Sequence, residues 1–286
     1  MQTTLLDQAV LPAAAHLKEL GVPSPDVCFL LGTGLGNLPR LLKLKRWLTG
    51  YEIPSAPQAW QEVGLFAGTY RGKTLWMIED APGHLQFAGG AGPGQPAWHR
   101  GYPVWLAAAS GAKLLIHTCA AVGLDANHPV GSLGVVSDHM NLSGTTPLLG
   151  LGTTPLGPLF PDQTRLHHRG LRLRVLERAQ ALGSTLVEGV AACLPGPSLS
   201  TPAELAWLRQ TPAHLAAQDT AGPWIACAHS GMALLALTAI CDDGSGPVRM
   251  PELLDRMDRI APLLEDLLLN ALPDLIQVAA ELESEA

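Results

Sequence analysis

Five segments carry the residue types that do chemistry: residues 32–36, 83–90, 118–123, 195–201 and 241–243. Each follows a stretch that reads as a β-strand, and ligands in open α/β folds collect at the carboxyl ends of strands. The first, Gly32-Thr33-Gly34-Leu35-Gly36, can turn backbone N–H groups into one cavity, with the Thr33 hydroxyl as a further donor. That chemistry suits an anion such as phosphate. The dinucleotide fingerprint fails, because Asn37 stands where its third glycine belongs, and the Walker pattern fails for want of Gly-Lys-Ser/Thr. Taken alone, the loop reads equally well as a structural glycine turn. Asp242-Asp243 ends the last segment, where a carboxyl can act as acid or base or sit as part of a solvated pair.

Metal and thiol chemistry are not expected. The chain has ten histidines, but His167-His168 are direct neighbours, which face apart on a helix, and no H-E-x-x-H occurs. The five cysteines, Cys28, Cys119, Cys193, Cys227 and Cys241, include no C-x-x-C and sit mostly in apolar runs. They read as buried reduced thiols of a cytoplasmic protein. A net charge of −7 with only 18 Lys and Arg, spread along the chain, argues against nucleic-acid or anionic-membrane partners. The first residues lack a basic region ahead of an apolar stretch, and no run reaches about 18 uninterrupted apolar residues. Neither a signal peptide nor a membrane span is expected.

The elements that must position these loops follow from the hydrophobic pattern. Helical spacing predicts helices over 5–20, 37–44, 103–110, 171–182 and 224–231. The 251–282 stretch is also helical in pattern, with Pro262 and Pro273 expected to break it. Short apolar runs predict strands at 27–31, 63–70, 74–79, 113–118, around 135–136, at 187–194 and at 233–240. Residues 83–101, containing Gly89-Gly90-Ala91-Gly92-Pro93-Gly94, read as a flexible loop, with a Gly/Pro-rich insertion at 91–100. Strands alternating with helices imply an α/β fold, a central twisted mixed sheet flanked by helices. With 286 residues, 47% of them hydrophobic, a single domain over 1–286 can bury a large core. No internal repeat or linker marks a boundary.

Several segments in one order resemble the trimeric purine nucleoside phosphorylases and their relatives, the methylthioadenosine phosphorylases. The glycine loop 31–36 is similar to the family's phosphate loop, and Thr118-Cys119-Ala120-Ala121-Val122-Gly123-Leu124 resembles its T-N-A-A-G-G-L. Val130-Gly131-Ser132-Leu133 and Asp138-His139-Met140-Asn141-Leu142 resemble V-G-D-I and D-H-I-N-L. Phe160-Pro161, Glu188-Gly189, Gly196-Pro197-Ser198 and His229-Ser230-Gly231 follow in the family's order. The resemblance runs from about residue 5 to about residue 270 and implies a phosphorylase-like fold and a homotrimer.

It also implies site residues. Thr33, His84, Gln86 and Ala120 fall at phosphate positions, where His84 replaces an arginine and Gln86 a histidine. Asp219 falls where the family has a Ser or Thr, with Thr220 next to it. A carboxylate facing a phosphate dianion at ~4 Å costs about 4 kcal/mol per charge pair at an effective dielectric near 20. A protonated His84 or a nearby arginine such as Arg100 would offset this. Ser200, Leu199 and Asp242 fall on the base side, with Asp242 placed to protonate the purine at N7. Ser200 reads equally as the cap of a helix starting near Thr201. Gln218 and Met250 fall on the ribose and 5′ side, and Phe160 at the position that reaches a neighbouring subunit.

Three functions follow from the resemblance. The first is phosphorolysis of a purine nucleoside, with a 6-aminopurine or methylthioadenosine favoured, inorganic phosphate as co-substrate and no cofactor or metal. The second is a hydrolase on the same scaffold, with Asp219 positioning water. The third is a nucleoside-binding paralogue without activity.

Overall fold

The computed structural model describes residues 4–32, 35–79 and 96–285. Strands β1 (Val27–Leu31), β2 (Lys45–Thr49), β3 (Gly64–Tyr70), β4 (Lys73–Glu79), β5 (Leu114–Gly123), β6 (Leu133–Asn141), β7 (Leu186–Leu194), β8 (Leu215–Gln218) and β9 (Ala233–Asp242) form one sheet. Its order is β2-β3-β4-β1-β5-β8-β7-β6-β9, and β5 also pairs with β9. That extra pairing closes β5, β8, β7, β6 and β9 into a barrel, which removes the free edges of those strands. The sheet is mixed: β1 runs parallel to β4 and β5, and β5 parallel to β9, while β8 meets β5 and β6 meets β9 antiparallel.

Helices α1 (Leu5–Glu19), α2 (Leu38–Leu41), α3 (Tyr102–Ala109), α4 (Arg169–Leu182), α5 (Pro202–Leu208), α6 (Ala221–His229) and α7 (Met250–Glu285) surround the sheet. The central strands read as unbroken apolar runs because both faces are covered. On β1, Cys28 and Leu30 pack towards α1, α3 and α6, and Val27, Phe29 and Leu31 towards α4 and α7. The same alternation on β9 sends Leu234 and Ala236 one way and Leu235 and Leu237 the other.

Local signals set several boundaries. Arg71 at φ 49° and Gly72 at φ 82° make the two-residue β3–β4 turn, in the doubly left-handed form that matches hairpin twist. Gly183 ends α4 in the left-handed region at φ 69°.

Two expectations are corrected, and β2 and β8 stand outside the expected set of strands. The helix expected over 37–44 is only Leu38–Leu41; Lys43 turns at φ 56°, and the chain continues as β2. The Ala-rich β8 has no strand pattern of its own and exists through its pairing with β7 and β5. Pro262 and Pro273 do not break α7, which runs from Met250 to Glu285. Each proline costs about 3 kcal/mol in a helix interior. The buried stripe Ile260, Leu264, Leu267, Leu268, Leu272 and Leu275 offsets that cost, at roughly 1.5–3 kcal/mol for each fully buried large aliphatic side chain.

Candidate active site

The first loop leaves β1 hard against β5. Gly32 N–H donates to Thr118 Oγ1 at 2.9 Å, and a Cβ on Gly32 would lie 2.4 Å from the Thr118 carbonyl oxygen. Only glycine fits there, so the loop is held against the middle of β5. Ala120, two residues on, is half-buried in β5 and pairs with Ala239 of β9. Thr33, His84 and Gln86 lie outside the described residues.

The end of β9 presents Asp242 beside Val122 of β5. Asp242 is only 8% exposed. Its Oδ1 accepts from Arg256 Nη1 of α7 at 2.9 Å, and the same nitrogen donates to the Cys241 carbonyl at 3.0 Å. Asp243 behaves differently: exposed, it accepts from Ser245 N–H through Oδ1 at 2.9 Å. The Asp242-Asp243 pair is thus one buried carboxyl and one solvated one. Arg256 was hidden in the sequence, since an arginine in an amphipathic helix reads as surface.

The ends of β7 and β8 make a second group. Gln218 Nε2 donates to the Ser198 carbonyl at 2.6 Å, which ties the 195–200 loop to β8. Leu199 and Ser200 ride on that loop; Leu199 is 44% exposed and Ser200 half-buried. Ser200 does not cap α5. Thr201 does, in a reciprocal capping box with Glu204. Asp219 sits at φ 56° on the turn into α6. Its Oδ1 faces the Gly196 N–H at a long 3.5 Å, and a Cβ on Gly196 would fall 2.4 Å from its Oδ2. The carboxyl is therefore folded over the end of β7. Burial pushes its pKa up, against the opposing pull of the Arg100 charge and the Gly196 N–H.

Two buried indole–imidazole bonds anchor α6 and α3 beneath this turn. Trp224 Nε1 donates to His117 Nδ1 at 2.7 Å, and Trp105 Nε1 to His229 Nδ1 at 3.0 Å. Both rings accept, so both imidazoles are neutral there. Burial takes His117 down to about 4. Met250 opens α7 at 44% exposure, and Phe160 stands 87% exposed on the 142–168 connection. Cys119 is half-buried in β5, and its thiol faces the Leu237 carbonyl at 3.9 Å. Among the described residues no cluster of three His, Cys, Asp or Glu is placed to hold a metal ion. No helix among them is long and apolar enough to cross a membrane.

The family sequence model described as "Phosphorylase superfamily" matches residues 26–273. A purine nucleoside phosphorylase of Mycobacterium leprae is 31% identical, over 94% of this chain and 99% of its own length. Purine nucleoside phosphorylase 1 of Bacillus subtilis is 30% identical, over 84% of this chain and 87% of its own. Among solved structures, a Schistosoma purine nucleoside phosphorylase in complex with hypoxanthine superposes with a TM-score of 0.83 at 21% identity, over 95% of this chain and 98% of that one. A nine-stranded mixed sheet of this order, matched along nearly its whole length by such relatives, places the chain in the phosphorylase superfamily, as a divergent pentosyl-transferring enzyme of the purine nucleoside phosphorylase type.

Proposed function

We propose that this protein cleaves the N-glycosidic bond of a purine nucleoside with phosphate, preferring a 6-aminopurine or a methylthioadenosine-like substrate. The observation that carries this is Asp242, a carboxyl buried at the end of β9 and fixed through Oδ1 by Arg256. Its other oxygen is left for the purine. A carboxyl accepts from a 6-amino group and shares a proton with N7 as the base departs, which a neutral amide cannot do. Leu199 offers an apolar wall, Ser200 a hydroxyl and Met250 an apolar neighbour for the 5′ substituent. Gln218 serves the ribose side by holding the loop rather than by a free amide. By the family resemblance, Thr33, His84, Gln86, Ala120 and Asp219 are the residues assigned to phosphate. On this reading the protein is a single domain over 1–286 and a cytoplasmic homotrimer, which the family resemblance implies, with the exposed Phe160 reaching a neighbouring subunit.

One observation favours a second reading, hydrolysis. Asp219 is turned inward with its carboxyl pKa raised by burial, as a base that positions water would be. A single assay separates the two. The pure protein is incubated with methylthioadenosine, adenosine and inosine, with and without phosphate, and free purine is measured. Phosphate-dependent release removes the hydrolase; equal release without phosphate removes the phosphorylase.

A further inference from the structure

We infer that Arg100 is the cation that receives the anionic reaction partner, with Asp219 as its counter-ion while that partner is absent. This rests on the phosphorylase reading. Residues Ala97–Gly101 form a 3-10 turn packed on α6. Two close approaches set it there. A Cβ on Gly101 would lie 2.5 Å from Ala226 Cβ, and one on Gly222 would lie 2.7 Å from Arg100 Cβ. Both are shorter than side chains tolerate, so the two glycines let the turn settle along α6, from Gly222 to Ala226. Arg100 thereby leaves the turn over Gly222, the second residue of the helix, and Asp219 lies two residues before the helix starts.

The geometry of Asp219 complements this. Its left-handed backbone, uncommon for a residue with a side chain, and the bare Gly196 let its carboxyl fold inward, where it feels the Arg100 charge. The first turn of α6 carries no acidic side chain, and Thr220 makes no side-chain cap bond. The positive end of that helix is thus not neutralised from within. An incoming oxyanion meets the Arg100 guanidinium and competes with one carboxylate for it. An arginine suits that exchange, since its planar fork binds a carboxylate or a phosphate in the same way.

The probe is inorganic phosphate, titrated into the full-length protein by calorimetry, with the KM for phosphate and the KM for nucleoside measured beside it. Arg100→Met is expected to weaken phosphate binding at least about tenfold, and Arg100→Lys to recover part of that loss, because a bidentate charged partner is removed and then half restored. Asp219→Asn is expected to tighten phosphate about tenfold by removing the competing charge. Nucleoside binding should stay within about twofold in all three, since the guanidinium and its counter-ion act on the anion alone. Arg174→Met, at an exposed pair with Glu177, controls for loss of a distant positive charge. Melting curves show whether Arg100→Met is folded; if it is not, Arg100→Lys and Asp219→Asn decide. Phosphate affinity unchanged in the folded Arg100 variants, or no phosphate binding by the wild type, overturns the inference. Purine release is scored separately, so a protein that binds no phosphate yet frees purine would sink this role for Arg100 while leaving nucleoside cleavage standing.

Discussion

Asp242 and Arg256 show how one buried charge is made tolerable. A carboxylate at this depth needs a partner, and Arg256 supplies it while also holding the Cys241 carbonyl. Asp242→Asn keeps the shape and removes a group that can take or return a proton. If Asp242 serves the purine, turnover should fall about 10²–10⁴-fold, the range for general acid–base catalysis, beyond any loss of nucleoside affinity. A fall in affinity alone, with kcat intact, would contradict a role in the chemistry. Asp242 is legible in the sequence as the last residue of an apolar run. Its separation from Asp243 is not, because two adjacent acids look alike until one is buried.

At the scale of elements, glycine positions divide into those with a neighbour and those without. Gly32 abuts the Thr118 backbone, while among the described residues nothing lies within 4 Å of a Cβ on Gly36. Gly32→Ala should therefore cost about 1–3 kcal/mol, as overpacking does, and Gly36→Ala next to nothing. Thermal melts of the pair test this, and equal melting temperatures would show that β1 and β5 are not in close register. The loop between β7 and α5 has its own anchor in the Thr201–Glu204 capping box. Thr201→Ala should lower stability by about 1 kcal/mol and loosen Leu199 and Ser200. A raised KM for nucleoside would follow, and chemical denaturation would read the stability loss. α1, β1, β3, β4 and α4 all show in the sequence through period and turn residues. β2 and β8 do not, since edge pairing and barrel closure define them rather than composition.

At the scale of the whole molecule, the core between the sheet and α6 is unusual in holding neutral imidazoles around Trp224. His117, His139 and His167 rings meet that indole edge-on at centroid distances of 6.1, 5.4 and 5.2 Å. Burial lowers His117 to about 4, and burial with the charges of His139 and Arg172 lowers His167 to about 3. His139 is also lowered by burial, against Asp138, and His229 by burial, against Asp7. These folded values lie below the unfolded 6.5. As pH drops through 6.5 the unfolded chain takes up protons that the folded chain refuses. Stability should therefore be full above about pH 6.5 and fall towards pH 4 and then 3, by up to about 1.4 kcal/mol per pH unit for each histidine. Raised Asp219 and Glu265 pull the other way near the carboxylate range. Denaturant midpoints at pH 7.5, 6 and 5 check the trend, and a flat profile would place these rings in contact with water.

The α/β class, the order of the strong strands and helices, the loops where chemistry gathers and the family they resemble are all readable along the chain. Those follow from local physics: hydrophobic period, turn residues and glycine freedom act within a few positions of chain. The burial of Asp242 on Arg256, the passage of α7 through two prolines and the place of Arg100 over Gly222 of α6 emerge only in the folded chain. Each depends on a partner brought from a distant part of the chain, and burial and charge pairing have no local signature.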